Sequence, residues 1–277
     1  MISVVSEMMS YPFIVRAMIV GILVSLCSSL LGVSLVLKKY SMIGEGLSHV
    51  SFGAIAIAVA LGVSPLKISI PIVMIVAFLL LRIKDSSKIK GDSAIALISS
   101  SSLAIGVISI AITTGMNTDV CNYMFGSILA MSKNDVYLSV VLSIVVIFLF
   151  TIYYNKIFAI TFDENFTKST GINVNFYNMM IAILTAITIV LGMRMMGAML
   201  ISSLIIFPSI ISMKIFKSFK SVVISSGIVS ILSFCIGMII SYKFSTPTGA
   251  SIVVVNIIIF ILSIIAEKIK SNNRSYV

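Results

Sequence analysis

The chain has 277 residues, 59% of them apolar and 10% charged, with a formal net charge of +10 and a mean hydropathy of +1.20. Soluble domains carry about 25% charged residues, so this composition excludes a soluble fold, and with it disorder, collagen and a disulfide scaffold. An outer-membrane barrel fails too, because its strands would alternate apolar and polar residues; an all-α polytopic membrane protein remains, with residues 1–277 as one transmembrane domain.

A hydrocarbon core about 30 Å thick takes roughly 20 helical residues to cross. Residues 1–16 do not read as a cleavable signal, since Glu7 and Pro12 interrupt any short apolar core and no basic lead precedes them. Stretches free of Asp, Glu, Lys and Arg then run over 17–37, 46–66, 93–118, 136–155, 169–193, 195–213, 221–242 and 244–266, with a shorter one over 68–81. The expectation is eight or nine spans, the ninth depending on whether Lys67 and Arg82 snorkel at the ends of the short stretch. Segment 120–132, with Gly126 in its middle, is too short to cross and reads as an interfacial or re-entrant piece.

Positive charge accumulates in short cytoplasmic loops. Nine spans with an outside N-terminus leave Arg16, Lys67, Lys133, Arg194 and Lys243 outside and the other fourteen of the nineteen Lys and Arg inside. The split implies a cytoplasmic C-terminus. It also accounts for the net charge without nucleic acid, because the cations sit at helix ends and form no basic stripe. Arg194, between Met193 and Met195, reads as an interfacial anchor. Cys27 and Cys235 fall in apolar spans and Cys121 in the 120–132 piece, so no pair stands at metal-site spacing.

The chain lacks a GxxxxGKS phosphate loop, a GxGxxG turn, an HExxH pair and a GxSxG elbow, so on its motifs it does not hydrolyse ATP by itself. Its most informative charges are Glu45 and the lone histidine, His49, in Gly44-Glu45-Gly46-Leu47-Ser48-His49. Four residues apart on a helix, a carboxylate and an imidazole share one face a turn apart. Ionisable groups inside a membrane are costly unless they serve a cavity or a partner; oxygen plus neutral imidazole nitrogen suits a borderline divalent cation. The competing reading makes Glu45 an interfacial acid favoured by the helix dipole, with His49 bonded to a carbonyl. A two-fold dimer meeting along this helix would double the ligand set.

Asp163 and Glu164 resemble the acidic first turn of a helix and Gly171 its stop, so a short helix is expected between the fifth and sixth spans. Ser99-Ser100-Ser101-Ser102 with Gly106 supplies small residues for close helix approach, and Pro208 should kink the seventh span.

Together these motifs resemble the membrane permease subunit of bacterial zinc/manganese ABC importers. Gly44-Glu45-Gly46-Leu47-Ser48-His49 is similar to that family's Gly-Asp-Ala-Leu-Ser-His segment. Asp92-Ser93-Ala94, Phe125-Gly126-Ser127-Ile128-Leu129, Phe162-Asp163-Glu164 through Gly171, Gly197-Ala198-Met199-Leu200 through Pro208, and Pro247-Thr248-Gly249-Ala250 follow in the family's order. The resemblance implies a vitamin B12-importer-type permease working as a homodimer in the cell membrane, with two cytoplasmic ATPase subunits and an extracytoplasmic metal-binding protein. It places the pore ligands on Glu45 and His49, with manganese, zinc or ferrous iron as substrate and no covalently bound cofactor. It makes residues 156–175 a cytoplasmic coupling loop whose Phe162, Asp163, Glu164, Thr167, Thr170 and Gly171 meet the ATPase. Glu45 stands where the family usually has Asp, which moves the carboxylate by one methylene. A permease for a chelated metal such as a siderophore or haem is the nearest alternative, disfavoured by an acid and a histidine on one face; an intramembrane metal-dependent hydrolase is a more distant one.

Overall fold

A computed structural model describes residues 7–86, 91–113 and 132–274. The described chain is helical: α1 (Pro12–Leu37), α2 (Ser41–Ala60), α3 (Pro65–Ser86), α4 (Gly91–Thr113), α5 (Lys133–Ile152), α6 (Tyr154–Phe162), α7 (Glu164–Ser169), α8 (Val174–Met196), α9 (Ala198–Ile215), α10 (Phe219–Phe244) and α11 (Thr248–Arg274). Segment 120–132, with Cys121 and the Phe125–Leu129 motif, lies almost wholly outside the described residues.

The expected eight or nine spans exceed the seven helices of full spanning length found among the described residues, which two shorter apolar helices accompany. Among the described residues, α1, α2, α4, α5, α8, α10 and α11 are long and apolar enough to cross a membrane, while the apolar parts of α3 (Pro65–Leu81) and α9 (Leu200–Ile215) are shorter. Absence of charge overstated the second of these, because Gly197, at φ 85°, closes α8 and opens α9 inside the apolar run. The run from 169 loses its first residues in the same way, to a corner made by Gly171 at φ 83° and by Asn173, whose side chain accepts from the Phe176 amide at 3.2 Å.

Boundaries follow local chemistry elsewhere as well. Pro12 opens α1, where its missing N–H costs nothing. Ser132 and Asp135 form a reciprocal capping box on α5, and the Ser218 hydroxyl accepts from the Ser221 amide at the start of α10.

Helices α1, α2 and α8 form the buried middle, and α4, α5 and α11 are mostly exposed. α1 packs against α5, α8, α9 and α10; α2 packs against α3, α4, α8 and α9. Lipid tails are as apolar as Leu, so association in a bilayer depends on close packing and interhelical hydrogen bonds. Both are present. Gly21 of α1 faces the Phe234 ring and Gly32 the Ile205 carbonyl. The Ser230 and Ser226 hydroxyls donate to the Ser25 and Ser29 carbonyls at 2.9 and 3.4 Å, stitching α10 to α1. The small residues expected to admit close approach do so between α2 and α4. A Cβ on Gly53 would lie 2.6 Å from the Ser102 carbonyl oxygen, and one on Gly106 would lie 3.0 Å from Gly53 Cα.

Candidate metal path and docking loop

Only Lys38, Lys39 and Tyr40 separate α1 from α2, so Glu45 and His49 enter the structure just beyond a tight corner. Both lie on α2, a turn apart, as their spacing requires. Gly46 lets α4 approach here: a Cβ at this position would meet Ile95 at 2.6 Å. Beside that contact α2 and α4 leave a cavity of about 200 Å³, lined by Met42, Glu45, Gly46, Asp92, Ile95, Ala96, Ser99 and Ser100. Glu45 is exposed, whereas His49 is half-buried, and its Nδ1 is buried with no hydrogen-bond partner among the described residues.

Asp92 is the residue this cavity adds. It stands in the first turn of α4, where the helix dipole favours an acid, and nothing in its local sequence says that it shares a cavity with Glu45. Two signals marked it in the sequence, its place at the edge of a long uncharged run and the Asp92-Ser93-Ala94 motif, and neither assigned it to the metal path. Two carboxylates and two serine hydroxyls lining one cavity are a set that can attract a cation and replace part of its water shell. Among the described residues no three His, Cys, Asp or Glu side chains gather as a closed metal cage. Beyond its first turns α2 is covered by neighbouring helices, and most of its remaining residues are buried. A second copy could therefore reach only the Met42–Glu45 end, not the whole helix.

The short helix expected after Asp163 forms as α7. Asp163 caps it, accepting from the Phe166 amide at 2.9 Å, and the backbone turns out at Gly171. Phe162 and Phe166 are exposed; Phe162 also packs against Phe158, with ring centres 4.9 Å apart, and against Phe219 at 6.0 Å. Thr167 faces inward: it is buried, and its hydroxyl donates to the Asp163 carbonyl at 2.7 Å. Thr170 donates to the Thr167 carbonyl at 2.8 Å. Glu164 turns toward α1, with Oε1 2.6 Å from Lys38 Nζ.

Arg194 differs from its expected role as an interfacial anchor. Its Nη2 lies 3.0 Å from Asp135 Oδ2, with both side chains largely buried. The same carboxylate oxygen accepts from the Ser132 amide at 3.0 Å and the Ser132 hydroxyl at 2.7 Å. The pair ties the end of α8 to the start of α5.

Comparison with known proteins agrees with this architecture. The manganese import system permease protein ScaB of Streptococcus gordonii is 28% identical over 253 residues, covering 91% of each chain. The high-affinity zinc uptake system membrane protein ZnuB of Haemophilus influenzae is 28% identical over 254 residues, covering 92% of this chain and 97% of its own. Among solved structures, PsaBC from Streptococcus pneumoniae in complex with Fab superposes with a TM-score of 0.85 at 28% identity, covering 95% of both chains. The model of the ABC 3 transport family matches residues 10–267, and the chain belongs to that family.

Proposed function

We propose that this chain is the permease subunit of an ATP-binding cassette importer that carries a bare divalent metal ion, manganese, zinc or ferrous iron, into the cytoplasm. The observation that carries this reading is the α2–α4 cavity, where Glu45 and Asp92 meet at one end of the membrane domain with His49 a turn further along α2. A hydrated divalent ion needs oxygen and nitrogen ligands to replace part of its water shell. Transport requires that they hold it loosely enough to let it go. A partly open pair of carboxylates meets that requirement better than a closed cage. The relatives named for manganese and zinc support the cargo class.

The permease works with a second copy of itself, two ATPase subunits and an extracytoplasmic metal-binding protein. The loop around α7 docks the ATPase through exposed Phe162 and Phe166, while Asp163, Thr167, Thr170 and Gly171 hold its shape. The N-terminus is outside and the C-terminus cytoplasmic. Helices α1, α3, α5, α9 and α11 run toward the side of the docking loop, as the Lys38–Glu164 and Lys214–Glu267 pairs and the cavity shared by Leu81 and Asn178 fit. This side also carries the cation-rich loops.

The experiment is uptake of competing manganese, zinc and ferrous ions by the complex reconstituted with its ATPase and binding protein. Glu45→Ala and His49→Ala are expected to abolish uptake while the complex still assembles. Normal uptake by both variants would remove these residues from the path.

A further inference from the structure

The corner between α1 and α2 is held from outside as well as from within. α1 ends on Lys38, and the amides of Lys39 and Tyr40 donate back to the carbonyls of Val36 and Leu35 at 3.0 and 2.7 Å. This closure usually takes glycine at its left-handed residue. Here that residue is Lys39, at φ 59°, a conformation that an L side chain adopts at a cost. Lys38 itself is buried, with 5% of its side chain exposed. Its Nζ lies 2.6 Å from Glu164 Oε1 and donates to Asn178 Oδ1, while Asn178 Nδ2 donates to Glu164 Oε1 at 3.3 Å. One lysine thus joins the end of α1, the first turn of α7 and the early part of α8. The same lysine is three residues from the start of α2.

Resting on the reading of the α7 loop as the ATPase-docking loop, we propose that Lys38, Glu164 and Asn178 form a latch that transmits displacement of that loop to the α1–α2 corner, and so to Glu45 and His49. Three features carry it. The contact is charge-assisted and triangular, which fixes direction as well as distance. The corner is too short to absorb a displacement: when Lys38 moves, Ser41 moves with it. A cavity of about 380 Å³ lined by Tyr40, Asn178, Phe78 and Phe176 among others opens beside the latch and leaves room for such a movement. Lys38 and Asn178 are positioning residues, and the cation does not touch them.

The test is the ratio of metal taken up to ATP hydrolysed, measured in vesicles holding the full complex. In Lys38→Met the ATPase subunits co-purify as before and hydrolysis continues, but the ratio falls by about ten-fold, within the usual range of coupling between sites. Lys38→Arg restores most of it, and the exchange Lys38→Glu with Glu164→Lys restores part. An unchanged ratio in Lys38→Met overturns the latch, as does a loss that neither Lys38→Arg nor the exchange recovers. If Lys38→Met does not fold, Asn178→Ala on the third member of the latch gives the same reading. Loss of ATPase co-purification in Lys38→Met or Asn178→Ala would also overturn the latch, since these residues would then serve assembly and not transmission, and the docking-loop reading would stand. Failure of the metal path shows separately, as normal uptake by Glu45→Ala and His49→Ala.

Discussion

Asp135 and Arg194 illustrate how a single residue pair can be costly to break in this protein. The carboxylate has 9% of its side chain exposed and the guanidinium 14%. Arg194→Ala leaves a largely buried charge without its counterion, a loss of about 3 kcal/mol, expected as a lower unfolding temperature of the detergent-solubilised protein. Removing both charges with Asp135→Asn and Arg194→Met should cost less than Arg194→Ala alone, and a double-mutant cycle measures the difference. Sequence could not show this pair: each residue alone looks like an ordinary interfacial charge, and only the antiparallel arrangement of α5 and α8 joins them. The same holds for Lys38 with Glu164 and for Asp92 beside Glu45. Glu45 and His49 could be read directly, because their relation is a property of one helix.

Elements were legible where their signals are local. Uncharged runs mark the long helices, and Asp163 and Gly171 mark the ends of the α7 corner. Helix count was less legible, because charge-free length does not reveal a glycine corner such as Gly197. The α7 loop makes a prediction at this scale. Asp163→Ala removes the acceptor of the Phe166 amide and costs about 1 kcal/mol, and Gly171→Ala forces a β-carbon into a left-handed residue for about 1–2 kcal/mol. Both should accelerate backbone hydrogen exchange across residues 163–171 and leave the exchange of α1 and α10 unchanged, measured by mass spectrometry on the purified permease. Equal acceleration throughout would mean that the loop is not an independently stabilised element.

At the scale of the whole molecule, the proposed assembly and orientation can be checked together. Native mass spectrometry of the complex should give two 29.9 kDa permease chains with two ATPase chains. In right-side-out vesicles, a cysteine at position 243 should react with a membrane-impermeant maleimide and one at position 217 should not. The reverse pattern would invert the topology and place the docking loop on the wrong side for a cytoplasmic ATPase. Composition alone fixed the membrane class, and the distribution of Lys and Arg supplied the orientation to be tested.

The glycine crossing between α2 and α4 limits how such a molecule can work. With Gly53 pressed against the Ser102 backbone, a one-turn slip of either helix would force His49 or Ile57 into a gap that holds no side chain. Ratcheting along this seam is therefore barred, and α2 and α4 must travel as one stiff plank. Any gate they operate moves with that plank, carried by the stiff left-handed corner where α1 gives way to α2.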